Sequence, residues 1–261
     1  DANMDITDWN LNSLYVDSFG EGICVGDRGQ ILSTNDYGEN WLKSWQSIGR
    51  VYEFNCSALI RDSIIFAGSS NFGGGVPWGD LYKSTDYGQT WSPMNFWCEV
   101  NDISFANDST GAFFSNYLGY IYYTDDGGVN WSERQNLYEN FSCGYMLNDT
   151  IGFAFADDYG SNTLIKTYDA WVTFVEINSE GLNNNTFEDI EFKDDTTGFG
   201  IVGYKGVYYR SDDQGVNWIL DSIGFDYYLN SINFVDSLKG FIGVRDHILK
   251  TIDGGESRYE T

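Results

Sequence analysis

Along this chain, apolar and polar side chains alternate with a period of two, in short runs broken by glycine and by Asn, Asp, Ser and Thr. Ile103 and Phe105, Ile190 and Phe192, and Ile232 and Phe234 are each two residues apart, and Leu14 and Val16 and Gly144 and Met146 hold the same places. That step belongs to strands with one buried face. Six residues after Val16, Phe105, Met146, Phe192 and Phe234, across a short polar turn, stands a glycine: Gly22, Gly111, Gly152, Gly198 and Gly240. Each segment predicts a hairpin of two strands, A and B. Apolar spacing of three and four, the mark of a helix, is absent.

Downstream of each hairpin lies a second recurring element. STDYGQTW (Ser84–Trp91) is matched by TNDYGENW (Thr34–Trp41), TDDGGVNW (Thr124–Trp131) and SDDQGVNW (Ser211–Trp218). TYDAWVTF (Thr167–Phe174) loses the glycine, and TIDGGESR (Thr251–Arg258) loses the tryptophan. The aspartates Asp36, Asp86, Asp126, Asp169, Asp213 and Asp253 are 50, 40, 43, 44 and 40 residues apart. A repeat of about 40–45 residues is the length of a four-stranded propeller blade. The box is expected between strands C and D. Its Asp accepts backbone N–H bonds and its hydroxyl bonds locally. Its Gly takes a positive φ, and Trp41, Trp91, Trp131 and Trp218 wedge between blades.

The expected fold is therefore an all-β, six-bladed β-propeller filling residues 1–261, with blades at about 10–50, 51–97, 98–138, 139–183, 184–225 and 226–261. The last blade is short, so residues 1–9 are expected to complete it and close the ring; seven blades is the alternative.

The pattern [S/T]-x-D-x-G-x-x-W resembles the Asp box of bacterial neuraminidase (BNR) repeats. Over the whole chain, the glycine-anchored hairpin followed by the box is similar to photosystem II stability/assembly factor-type propellers. Sialidases and xyloglucanases share such boxes, so the resemblance implies a fold shared by several functions. A sialidase implies an arginine triad and a Phe/Tyr-Arg-Ile-Pro segment; none of the seven arginines sits in one. The photosystem factors imply a basic arginine patch, and no such cluster is present.

Charge narrows the partners. With 14 Lys and Arg against 39 Asp and Glu, the chain carries −25, which disfavours nucleic acid and anionic lipid. No run approaches the length of a membrane span. His247 is the one histidine, and Cys24, Cys56, Cys98 and Cys143 show no CxxC spacing, so zinc is not expected and the cysteines read as mostly buried free thiols. No cofactor is expected; calcium is the ion that the doublets Asp125–Asp126, Asp157–Asp158, Asp194–Asp195 and Asp212–Asp213 would suit, but they lack EF-hand spacing.

In a propeller the A–B and C–D turns share one face, and the B–C and D–A loops share the other. In Asp-box enzymes the active site lies opposite the boxes. The resemblance thus places recognition on the B–C and D–A loops, with Arg28, Arg50, Phe72, Trp78, Trp97, Tyr117, Tyr138, Tyr159, Tyr204, Lys205, Arg245 and His247 as candidate contacts. The 50-residue repeat carries its extra length at Ser69–Asp80. The A–B turns hold D-[S/T] motifs that look like acceptors of bacterial O-glycosylation: Ser63, Ser109, Thr150, Thr196 and Ser237, with Ser222 elsewhere. The expected function is a non-catalytic, secreted or cell-surface bacterial propeller that binds a protein or glycan, with a module of an adhesin or secretion-system cargo as its expected setting. A glycan-active hydrolase and a membrane-complex assembly factor are the alternatives.

Overall fold

The computed structural model describes residues 10–16, 20–46, 53–61, 63–70, 79–116, 119–137, 140–158, 161–177, 185–203, 205–244, 248–257 and 259–260. The fold is an all-β propeller of six four-stranded antiparallel sheets, each a sequential meander.

Two compact units form, residues 1–138 and 139–261. In the first, sheet one holds β1 (Leu11–Val16), β2 (Gly22–Gly26), β3 (Gln30–Thr34) and β4 (Leu42–Gln46). Sheet two holds β5 (Glu53–Ile60), β6 (Ile64–Ser70), β7 (Leu81–Ser84) and β8 (Ser92–Pro93). Sheet three holds β9 (Val100–Phe105), β10 (Gly111–Ser115), β11 (Tyr120–Thr124) and β12 (Ser132–Asn136). In the second unit, sheet four holds β13 (Asn140–Met146), β14 (Gly152–Asp158), β15 (Ser161–Thr167) and β16 (Val175–Ile177). Sheet five holds β17 (Phe187–Phe192), β18 (Gly198–Val202), β19 (Val207–Ser211) and β20 (Ile219–Ser222). Sheet six holds β21 (Leu229–Phe234), β22 (Gly240–Val244), β23 (Ile248–Thr251) and β24 (Tyr259–Glu260). The fourth strand of sheet six is thus Tyr259–Glu260. Residues 1–9, which the repeat pattern assigns to that place, lie outside the described residues.

The six-residue step from strand A to the glycine is the hairpin register itself: Val16 pairs with Gly22, Phe105 with Gly111, Met146 with Gly152, Phe192 with Gly198 and Phe234 with Gly240. The glycine is required because the large A-strand side chain lies across it. A Cβ on Gly111 would sit 2.5 Å from the Phe105 ring, and one on Gly198 2.6 Å from Phe192. Sheet two replaces the pair with Leu59 and Ile65, which is why its sequence lacks the anchor. One expectation fails at β1, where Leu14 is 63% exposed. That strand is the edge of its sheet.

At the joints of sheets two and three, four and five, and five and six, neighbouring sheets join through rings. Phe66 of β6 stacks on Phe105 of β9 at 5.4 Å and meets Trp131 edge-on at 5.9 Å. In the second unit Phe153 stacks on Phe192 at 4.8 Å and meets Trp218 at 6.3 Å, and Phe199 stacks on Phe234 at 5.2 Å. Such pairs add about 0.5–1.5 kcal/mol beyond the area they bury. Opposite the B-strand phenylalanine of each pair, on strand C, stands a cation: Lys83 pairs with Phe66, Lys166 with Phe153 and Arg210 with Phe199. Each cation lies over its ring and reaches on to the next box. Lys83 Nζ donates to the Gly128 carbonyl at 3.0 Å, Lys166 Nζ to that of Gln214 at 2.6 Å, and Arg210 Nη1 to Glu256 at 2.8 Å.

Candidate functional site

All six boxes are the same hydrogen-bonded knot. The Ser or Thr hydroxyl donates to the Asp carboxylate at 2.7–3.0 Å and accepts the N–H four residues on at 2.8–3.1 Å. The same carboxylate accepts a second N–H, from Asn40, Thr90, Asn130, Thr173, Asn217 or Ser257, at 2.8–2.9 Å. The side chains of those six residues donate to its other oxygen. An Asn, Thr or Ser four residues after each Asp is therefore part of the motif, legible in the sequence but missed there. These donors hold every box Asp below the usual carboxylate range, down to about 2 at Asp126 and Asp253. The oxygens are consumed by the turn, so the box is scaffold.

The box also holds two consecutive left-handed residues, where the sequence pattern shows one. Tyr37, Tyr87, Gly127, Ala170, Gln214 and Gly254 precede the glycine position at φ 57–74°. Each donates its N–H to a carbonyl of its own A–B turn, at Gly20, Ser63, Ser109, Thr150, Thr196 or Leu238. The boxes and A–B turns are thus laced together at one end of every sheet. Trp171, at the glycine position of sheet four, is no defective joint. It is wholly buried at φ 65°, with its indole N–H directed at the Met146 sulfur, 3.2 Å away.

The A–B turns are capped by the residue before the D-[S/T] pair or by the Asp itself. Asn107, Asn148, Asp194 and Asp236 each accept the N–H groups two and three residues on. Ser109, Thr150 and Thr196 hydroxyls donate to the same oxygens. Thr150, Thr196, Ser222 and Ser237 are exposed, whereas Ser63 and Ser109 are half-buried.

At the other end of the sheets, Arg28 and Lys205 are the exposed corners of tight B–C turns, at φ 56° and 57°, each followed by a left-handed glycine. Trp97, in the loop between β8 and β9, is 58% exposed at φ 59°, two residues after Asn95 at φ 65°. The loop is pinned by Asp80, which the sequence reading did not name as a contact. Its buried carboxylate accepts the N–H groups of Leu81, Asn95 and Phe96 at 2.8–2.9 Å. Burial raises its pKa against those donors. The same end of the first unit carries Asp27, Glu53 and Glu99. Burial pushes Glu53 up, helped by the charge of Asp27, and pushes Glu99 up, helped by Glu53. Arg50, Phe72, Trp78, Tyr117, Tyr138, Tyr159, Tyr204, Arg245 and His247 lie outside the described residues.

On the box side, a cleft of about 690 Å³ opens between sheets one and two. All four cysteines are free and buried. Burial raises the Cys24 thiol to about 11 and Cys98 to about 12, which removes thiolate chemistry near neutrality. Among the described residues, no cluster of three or more His, Cys, Asp or Glu could hold a metal, and no helix is long and apolar enough to cross a membrane.

The profile of the BNR/Asp-box repeat matches residues 82–93 and 122–133, the boxes of sheets two and three. No curated protein matches the chain. Among solved structures, YCF48 bound to D1 peptide shares the fold at a TM-score of 0.71 and 17% identity, over 98% of this chain and 83% of that one. The GH74 enzyme of Niastella koreensis gives 0.75 and 13%, over 97% of this chain but 45% of that one, so this chain spans less than half of that enzyme. The nidogen/laminin complex gives 0.66 and 7%, over 89% of each chain.

Proposed function

We propose that the chain is a non-catalytic recognition module, secreted or displayed at a bacterial cell surface, whose B–C and D–A loops bind a segment of a protein partner. Trp97 carries the reading. A left-handed backbone costs a non-glycine residue about 1–2 kcal/mol, and here the loop holds both Asn95 and Trp97 in it while presenting the indole to solvent. A rigid exposed aromatic beside a buried pinning carboxylate is a preformed contact. The surrounding Asp27, Glu53 and Glu99 favour a basic segment. That the similarly folded YCF48 is bound to D1 peptide supports a peptide-sized partner.

The test is capture from the envelope fraction of the native source, comparing wild type with Trp97→Ala and with Phe72→Ala/Trp78→Ala. Loss of the captured protein at an unchanged melting temperature is expected. Undiminished capture would remove these residues from the site. The second reading, a glycan-active hydrolase, draws on the raised Glu53 and Glu99 carboxylates. Reducing sugar released from a polysaccharide panel, and lost in Glu53→Gln, would replace the binding reading. Sugar on the D-[S/T] hydroxyls is read by the intact mass of the natively produced protein; the bare-sequence mass removes it.

A further inference from the structure

Three joints between neighbouring sheets follow one plan, and the joint between sheets one and two departs from it. At the joints of sheets two and three, four and five, and five and six, a B-strand phenylalanine stacks on an A-strand phenylalanine of the next sheet. In each, the strand-C residue opposite the first phenylalanine is a cation that crosses to the next box. At the joint of sheets one and two the corresponding places hold Ile23, Leu59 and Ser33. The register makes the correspondence: Ile23 pairs with Ser33 as Phe66 pairs with Lys83, and Leu59 pairs with Ile65 as Phe105 pairs with Gly111. Two rings and one long cation are exchanged for smaller side chains. Ile23 stays wholly buried, and beside Ser33 and Leu59 opens the cleft of about 690 Å³, bounded also by Glu21, Asn40, Tyr87 and Gln89. Around Phe199, Phe234 and Lys250, where the plan is kept, the cavity is about 20 Å³.

We propose that this cleft is a docking site for a segment of a partner protein that carries a lysine or arginine beside an aromatic side chain, seated where the joint lacks its own. The intact joints define the chemistry that fits: a ring on the apolar wall, and a cation directed at the oxygens of the next box. Leu59 and Ile65 supply the wall. Asn35, Asn40, Gln89 and the Glu21 carboxylate supply oxygens, with the exposed Lys43 of β4 at the rim. The charge of −25 draws a basic segment towards it. The cleft lies on the box side, away from Trp97, so the proposal does not rest on the reading of the D–A loop.

The experiment uses the peptides Gly-Phe-Lys-Phe-Gly, Gly-Phe-Met-Phe-Gly and Gly-Phe-Glu-Phe-Gly, titrated to millimolar concentration while amide chemical shifts of the isotopically labelled chain are followed. The lysine peptide is expected to bind at least tenfold more tightly than the other two, with shifts centred on residues 33–43 and 87–89. The variant Ile23→Phe/Ser33→Lys restores one ring and the cation; it should lose the binding tenfold or more and melt at a higher temperature than wild type. Ser33→Lys alone serves if the double variant does not fold, and Trp97→Ala should bind as wild type does. Absence of lysine-peptide binding, equal binding of all three peptides, or undiminished binding in the filled variants overturns the proposal.

Discussion

Lys166 offers the sharpest test of how neighbouring sheets are fastened. Its side chain is wholly buried, its ammonium lies 5.1 Å from the centre of the Phe153 ring and 4.5 Å from that of Tyr168, and it donates to the Gln214 carbonyl at 2.6 Å. Lys166→Met keeps the unbranched stem, so packing is largely conserved and the charge is what is lost. A hydrogen bond from a charged donor contributes about 1.5–3 kcal/mol, and a desolvated cation–π contact about 1–2 kcal/mol. Relief from burying the ammonium offsets part of this. The net expectation is about 2 kcal/mol, or roughly 4–8 °C in melting temperature for a chain of this size. Lys43→Met, at an exposed position of β4, is the control and should stay within about 0.5 kcal/mol. Urea unfolding followed by tryptophan fluorescence measures both. A Lys166→Met midpoint indistinguishable from that of Lys43→Met would refute the claim that the cation fastens the joint.

Gly198→Ala should cost about 1–3 kcal/mol by overpacking against Phe192, and adding Phe192→Leu should recover part of it, since Leu59 over Ile65 already accommodates a side chain in sheet two; a double-mutant cycle with no coupling would sink this. For pH, the depressed box aspartates contribute stability that is complete above their ordinary 3.8 and lost as pH falls towards about 2. Glu53, Glu99, Glu188 and Glu191, raised mainly by burial, cost stability near neutrality and release it as pH drops through their raised values towards the ordinary 4.5. Melting temperature should therefore pass through a maximum at mildly acidic pH; a steady fall from pH 7 downward contradicts the assignment. The four thiols should react with a disulfide reagent at pH 8 only after unfolding, and rapid labelling of the folded chain would contradict their burial.

The boxes and the glycine anchors were legible because each is a local constraint repeated in register. A carboxylate closing its own turn leaves an aspartate at the same offset in all six boxes, and a large side chain lying over the hairpin leaves a glycine six residues on in five of the six sheets. The fastening between sheets was less visible because it is made across about 45 residues, as from Lys83 to Gly128. Its signal was nonetheless present one residue before each box, where Ser33, Lys83, Tyr123, Lys166, Arg210 and Lys250 form a column. Trp97 could be named as a loop aromatic, but its left-handed backbone and the pinning of its loop by Asp80 depend on hydrogen bonds between the B–C and D–A loops, which no periodicity announces.

A repeat also gives each departure a physical sign, and the sign separates scaffold from site. Sheet four puts Trp171 where a glycine belongs, and the result is a wholly buried indole against Met146 and Gly152. That exchange adds volume and leaves the joint full, so it reads as repair of a box whose last position is Phe174 rather than tryptophan. Ile23, Ser33 and Leu59 depart the other way, removing rings and cation, and open space lies beside Ser33 and Leu59. An emptied joint forgoes dispersion contacts and a charge-assisted hydrogen bond that its neighbours keep. Restoring both rings and the cation would take three substitutions, at Ile23, Leu59 and Ser33. An opening lined by both apolar and oxygen-bearing side chains is what a site for a partner's ring and cation requires.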